Sequence, residues 1–414
     1  MIQTGGSRRV VVTGMGVVTP IGQDVPSFWQ GVKEARCGVG PLGGFDLEDL
    51  KINIAAQIKG FDHKARLKHF SRDKLILHAD RYSWFAAAAA DEAVKQSGLA
   101  KPFADPYRTA CVIGSGAGGL ITLETGYRDL FIHNKRATHP LTLLRIIGSS
   151  AAAHVGIEFG VKGPTFATCS ACSTAAHAIG TGRDYIRHGM VDVAIVGASE
   201  SVINYGTMKA WQAMHVLSPQ GCFPFAKKRN GTVLGEGAGV LVLESYEHAK
   251  ARGATILAEL AGYGMASDSA DMVKPTVEGP REAMRMALAD AGIAPSKIDY
   301  LNAHGTATTD NDVNETKAIH AVFGEHARKL AISSTKSMHG HPLGAGGGIE
   351  AVASIMAIHH GWVPPTIGLD VAGEGCDLDY VPNVGRIMKV DYAMSNSFAF
   401  GGLNAVIVFG PPPG

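Results

Sequence analysis

The chain has 414 residues, with 38 Lys and Arg against 37 Asp and Glu, a formal net charge of +1 with histidine neutral. That balance lacks the polybasic footprint of a nucleic-acid binder, and no apolar stretch reaches the roughly 20 residues that a membrane-spanning helix needs. The six cysteines (Cys37, Cys111, Cys169, Cys172, Cys222 and Cys376) are scattered, which reads as reduced, cytoplasmic usage and not as a disulfide framework.

The length exceeds one ordinary sheet-and-helix domain, so two domains or two fused halves are expected. Met1 to Ser7 is polar and Gly-rich, with no signal-peptide layout. Residues 9–14 then read as a buried strand ended by Gly, and 84–96 as an Ala-rich helix. A strand over 110–113 leads to Gly114-Ser-Gly-Ala-Gly-Gly119. This matches G-x-G-x-x-G, but a dinucleotide site wants an acid about twenty residues on, and His133-Asn-Lys-Arg136 stands there. The glycines therefore read as close packing or backbone approach to a ligand.

Next comes Phe166-Ala-Thr-Cys-Ser-Ala-Cys172, where a short apolar strand runs into a small-residue helix over 173–187. A thiol at a helix N-terminus is stabilised as thiolate by unpaired N–H groups and the dipole. Cys169-x-x-Cys172 lacks the further ligands of a zinc site, so no metal is assigned and Cys169 is taken as inert. Strands follow over 191–196 and 239–243, and Lys227-Lys228-Arg229 is a candidate basic patch for an acidic protein partner, with a solvated loop as the plainer reading.

In the second half, a helix over 281–291 precedes Tyr300-Leu301 and the strand-end loop Asn302-Ala-His304-Gly-Thr306-Ala-Thr308. A strand over 331–333 leads to Lys336-Ser-Met-His-Gly-His341 and a Gly/Ala-rich helix over 346–360. This strand, loop and helix repeat the order around Cys172. The chain is therefore read as α/β, built of two fused halves of similar topology (1–253 with Cys172, 254–414 with His304 and His341) joined near residues 251–258. Ser395-Asn-Ser-Phe-Ala-Phe400-Gly401-Gly402-Leu-Asn404 turns sharply before a last strand over 405–409, and its N–H groups are candidate oxyanion donors. One thiol and two imidazoles form the set needed for thioester chemistry.

These motifs resemble β-ketoacyl–acyl-carrier-protein synthases of the type II kind. The resemblance rests on Val11-Val-Thr-Gly-Met-Gly-Val-Val-Thr-Pro20, Ser170-Ala-Cys172, Phe225-Ala-Lys-Lys-Arg-Asn-Gly-Thr-Val-Leu-Gly-Glu-Gly-Ala-Gly, Asn302-Ala-His304-Gly-Thr306, Ser334-Thr-Lys336, Gly340-His341 and the Asn396 to Asn404 run. It spans nearly the whole chain. Met338-His-Gly-His341 and Trp211 are similar to the nodulation-protein-E branch and to ketosynthases of polyene-making type II polyketide systems. The resemblance implies a thiolase-like, duplicated five-layer αβαβα fold working as a dimer, either with itself or with a chain-length-factor-like homologue. It implies acyl transfer to Cys172 from an acyl-carrier protein, then decarboxylative Claisen condensation with malonyl carrier promoted by His304 and His341. Lys336 matches the family lysine, with Glu315 as the acid that orients it and Asp312 as a further acid near that loop. Phe400 matches the gating phenylalanine, and the N–H groups of Cys172 and Phe400 would form the oxyanion hole beside Gly401 and Gly402. No resident cofactor is implied, since the phosphopantetheine arm belongs to the carrier.

Departures from the family pattern are Ser170, Ala399 and Leu403, where Thr, Gly and Thr are usual. Trp211, Ala117, Thr142 and Arg145 are the expected acyl-pocket positions, with Ala117 small where elongating enzymes carry a bulky floor and Arg145 replacing a small residue near the dimer interface. The expected product is that of polyketide, polyene or specialised fatty-acid synthesis, with housekeeping elongation as the alternative. A chain-length-factor role is disfavoured by the retained Cys172, and a thiolase by the absence of a glycine motif around Cys376.

Overall fold

The computed structural model describes residues 8–45 and 47–413; the Met1 to Ser7 stretch lies outside the described residues. Ten strands form one sheet: β1 Val10–Val18, β2 Thr109–Gly114, β3 Thr165–Phe166, β4 Val193–Glu200, β5 Gly237–Ser245, β6 Ala258–Ser267, β7 Tyr300–Asn302, β8 Ala331–Ser333, β9 Ala393–Ala399 and β10 Leu403–Gly410. Their spatial order is β3-β2-β4-β5-β1-β6-β10-β9-β7-β8.

That order contains the duplication. Within the first five strands the sequence is third, second, fourth, fifth, first, and the last five repeat it when read inward from the opposite end of the sheet. The pairings repeat as well: β2 is parallel to β3 and β4, while β5 is antiparallel to β4 and β1. In the second half β7 is parallel to β8 and β9, while β10 is antiparallel to β9 and β6. The halves join edge to edge through a short antiparallel contact of Val11 and Val12 with Glu259 and Ala258.

Helices complete five layers. On the outer face of the first half lie α1 Arg81–Ser97 and α4 Ser150–Phe159, reached through α2 Leu120–Phe131 and α3 Thr142–Ile146. Between the two halves lie α5 Thr174–Arg187 and the later α9 Gly346–His360, and α6 Tyr205–Ala213 sits at the mouth of the site. On the far face are α7 Glu278–Ala291 and α8 Thr309–Phe323. Among the described residues, no helix is long and apolar enough to cross a membrane.

The same packing device holds the outer helix in each half. A Cβ on Gly14 or Gly16 of β1 would lie 2.0 Å and 1.9 Å from the carbonyl oxygens of Ala93 and Ala89 in α1. A Cβ on Gly262 or Gly264 of β6 would lie 2.2 Å from those of Ala287 and Ala283 in α7. Glycine on the strand and alanine on the helix thus let backbone rest on backbone, burying both faces at close range. α1 starts at Asp80, whose carboxylate accepts from Tyr82 N–H, and stops at Gly98, whose φ of 70° suits only a residue without Cβ strain.

Candidate active site

The candidate nucleophile, Cys172, is set by a strained turn. Cys172 lies in the 3-10 turn Ala171–Ser173, and α5 begins at Thr174, one residue later than the sequence suggested. Ala171 adopts φ 47°, a left-handed conformation that a non-glycine residue enters only when its surroundings impose it. The Thr174 hydroxyl donates to the Ala171 carbonyl at 2.8 Å and accepts from Ser170 N–H at 2.9 Å, closing the turn. The Ser173 hydroxyl lies 2.8 Å and 2.6 Å from the carbonyls of Ser397 and Leu403, tying the turn to the Phe400 loop.

Two loops of the second half bring imidazoles to the sulfur. His304 follows β7, and His341 follows the short helix Lys336–His339. His341 Nε2 lies 3.0 Å from Cys172 Sγ. The ligand atoms of Cys172, His304 and His341 all lie within 4.8 Å of one another. The His304 and His341 rings sit edge to face, 5.5 Å between centroids at 86°. These three soft ligands are also the only group among the described residues able to hold a thiophilic metal ion.

Both imidazoles are neutral. Burial, then the charge of Lys336, holds each well below the usual histidine range. Among the described residues no group hydrogen-bonds His341 Nδ1, and the ring's polar contact is that of Nε2 with Cys172 Sγ. The thiol differs from the sequence expectation of a dipole-activated thiolate. Burial pushes Cys172 up to about 12, against the smaller opposing pull of Lys336 and of the Phe400 and Cys172 N–H groups directed at the sulfur. Desolvation of a full charge outweighs a helix-end dipole. The resting group is therefore a thiol with an imidazole in contact. Alkylation of Cys172 by iodoacetamide, followed by intact mass, is expected to quicken by about tenfold per pH unit between about pH 7 and 9. A plateau reached below neutral pH would show a preformed thiolate instead.

Lys336 is almost wholly buried, and its ammonium pairs with Glu350 of α9. This corrects the expectation that Glu315 orients the lysine. The Glu315 carboxylate instead accepts from His304 N–H and Gly305 N–H, both at 2.8 Å, and from Asn396 Nδ2–H at 3.0 Å. It therefore shapes the His304 loop. Asp312 does the same one turn earlier in α8, accepting from Phe225 N–H at 2.7 Å and Ala307 N–H at 3.2 Å. Burial pushes the Asp312 carboxyl up to about 7. Glu350 left a faint mark in the sequence, as the only charge in the apolar run 346–357.

Phe400 opens the turn Phe400–Gly402, where Gly401 and Gly402 take φ 78° and 69°. Trp211 of α6 stacks on Phe400 at 5.8 Å and 30°. Both rings line a cleft with the buried Cys172, His304 and His341 at its base and the exposed Met272 of the 268–275 segment at its mouth. Ala117 is not among the residues lining this cleft but packs in the apolar cluster that adjoins it, with Cys172, Trp211, Met208 and Leu343. Thr142 and Arg145 do not join either group. They line a separate cleft with Asp80, Arg81 and Trp84, because only the backbone of α3 meets the Gly-rich turn, through Gly119 N–H to the Ile146 carbonyl at 3.2 Å. Cys169 is exposed, with its sulfur 3.6 Å from the Gly116 carbonyl, and Cys376 is buried in the core of the second half.

Residues 7–249 match the family model described as beta-ketoacyl synthase, N-terminal domain, and residues 257–370 match the C-terminal domain model. The chain belongs to the β-ketoacyl synthase family. It is 46% identical to nodulation protein E of Rhizobium meliloti (strain 1021), over 97% of this chain and 99% of that one. It is 42% identical to 3-oxoacyl-[acyl-carrier-protein] synthase 2 of Coxiella burnetii, over 97% of this chain and 98% of that one. The structure of the ishigamide ketosynthase/chain length factor superposes with a TM-score of 0.94 at 33% identity, covering 99% of this chain and 100% of that one. In this synthase the second model match ends before the Phe400 turn. Three features went unread in the sequence: Glu350, the Ser173 link to the Phe400 loop, and the approach of the 268–275 segment. Each depends on contacts made only in the folded chain.

Proposed function

We propose that this ketosynthase carries an acyl chain as a thioester on Cys172 and condenses it with a malonyl unit brought by an acyl-carrier protein. The convergence of Cys172, His304 and His341 at the base of one cleft carries this reading. In the first step the sulfur attacks the acyl thioester. His341 Nε2 takes the S–H proton and returns it to the departing pantetheine thiolate, so no net charge accumulates. The N–H groups of Cys172 and Phe400 receive the developing oxyanion.

In the second step the malonyl carboxylate leaves as CO2. The electron pair of the broken C–C bond forms an enolate, whose oxygen accepts from the imidazole N–H groups of His304 and His341. The enolate carbon attacks the acyl thioester, a C–C bond forms, and the Cys172 thiolate leaves and is reprotonated. Neutral imidazoles suit this, since a buried pair of imidazolium ions beside Lys336 would repel. Lys336, held in its ion pair with Glu350, still acts on Cys172, His304 and His341 through its charge, favouring the thiolate and the neutral imidazoles. The chemistry needs no resident cofactor or metal, and the phosphopantetheine arm enters with the carrier.

Incubation with a panel of acyl-carrier thioesters and intact-mass measurement tests the reading. A mass gain on Cys172 is expected, and modification elsewhere, or none with any carrier, overturns it. The small Ala117 beside Leu343 favours long or stiff chains, as in polyketide, polyene or specialised fatty-acid synthesis, over housekeeping elongation. Ala117→Phe is expected to shorten the products by several carbons, read by mass spectrometry of the carrier-bound chains; unchanged length removes this pocket assignment. The proposed enzyme is cytoplasmic and dimeric. Tyr127, Phe131, Leu143 and Leu144 of α2 and α3 are exposed apolar side chains. A second copy or a chain-length-factor-like homologue would cover them.

A further inference from the structure

Glu200 ends β4 and is fully buried. Among the described residues no basic side chain pairs with it, yet donors from two distant loops meet its carboxylate. Ser115 Oγ–H donates at 2.8 Å to one oxygen, and the N–H groups of Gly116 and Gly344 donate at 2.8 Å and 3.1 Å to the other. Ser115 and Gly116 begin the turn that carries Ala117, and the Ser115 oxygen also accepts from Gly118 N–H at 2.8 Å. Gly344 belongs to the turn Leu343–Ala345 just after His341.

The junction has no slack. A Cβ on Gly344 would come within 2.7 Å of Gly116 N and 2.8 Å of a Glu200 oxygen, and one on Gly116 within 2.8 Å of that same oxygen. Leu343, at φ 43°, and Ala171, at φ 47°, are held in the left-handed region on either side of it. A buried carboxylate without a cation is costly, and burial pushes Glu200 up to about 7 in spite of its donors. Such a group is retained where its several acceptor sites hold loops together that neutral packing would leave independent.

We propose that Glu200 is a positioning residue that locks the Ala117 turn to the His341 loop, so that the acyl channel and the decarboxylating histidine are held as one unit. This rests on the roles given above to Cys172, His304 and His341. Losing the lock leaves the thiol in place but frees His341 to shift against it, and misplacement of about 1 Å costs up to about 100-fold in rate.

The test compares full-length wild type with Glu200→Gln, which keeps the shape but turns an N–H2 group toward a donor. Two quantities are read: Cys172 acylation by a short and a long acyl carrier, and CO2 release from malonyl carrier. For Glu200→Gln, kcat for CO2 release is expected to fall about tenfold while KM for malonyl carrier stays within about twofold. The difference between short-chain and long-chain acylation rates should shrink as well. Gly344→Ala, which crowds the same junction without touching the charge, should show the same split, so a folding defect in one variant leaves the other as the test. Wild-type chain preference with wild-type kcat in both overturns the proposal. So does a fall of every rate in proportion to the folded fraction measured by circular dichroism. Absence of Cys172 acylation in the wild type would instead reject the underlying reading of the site.

Discussion

Cys172→Ala is expected to remove acylation entirely and to slow condensation by at least about 1000-fold, because no other nucleophile shares the base of the cleft. The mass gain seen with an acyl carrier should vanish in this variant and persist in Cys169→Ala, whose sulfur is exposed and outside the cluster. The substitution also carries little structural risk. The turn is held by Thr174 and Ser173, not by the sulfur, so the fold and thermal midpoint should change little. Residual acylation of the alanine variant at the wild-type rate would move the nucleophile elsewhere. Retained CO2 release without condensation would be in keeping with the proposal, since decarboxylation is assigned to the histidines.

The second large effect separates those histidines. His304→Ala removes one of two donors to the enolate, and CO2 release from malonyl carrier is expected to fall about 100- to 1000-fold. Cys172 acylation should continue at close to the wild-type rate, because His341 is the imidazole placed at 3.0 Å from the sulfur. His341→Ala should lose both activities, since that ring both relays the thiol proton and faces the enolate. Intact-mass acylation and CO2 release measured on the same preparations give the contrast. Equal loss of acylation in the two variants would show that the rings share the thiol and that the 3.0 Å contact assigns no separate role.

The correction at Lys336 has the same origin as the correction at Cys172. The family resemblance implied that Glu315 orients Lys336, but α8 turns Glu315 under the His304 loop, while α9 lifts Glu350 to the ammonium. Likewise, a strand running into a helix marks a thiol at a helix end, but gives no account of what seals it from water. In the folded chain Phe400, Trp211, Leu343 and the two imidazoles enclose the sulfur, and desolvation then outweighs the dipole. Within the single chain, α3 meets the Gly-rich turn through its backbone, and Thr142 and Arg145 line another cleft.

What is local could be read from the residues alone. Alternating short apolar strands and Ala-rich helices, glycines where backbone must touch backbone, and the recurrence of strand, polar loop and helix around Cys172 and His341 are encoded within a few residues of each other. They pointed to the α/β class, to two fused halves of similar topology and to Cys172, His304 and His341 as candidate site residues. What depends on juxtaposition was decided only by tertiary structure: the edge-to-edge joining of the halves, the Lys336–Glu350 pair, the neutral state of the thiol and imidazoles, and the Glu200 junction. Those properties arise from burial and from contacts that chain neighbours do not make, such as Glu200 with Gly344, Cys172 with His341 and Lys336 with Glu350. Neither composition nor periodicity carries information of that kind.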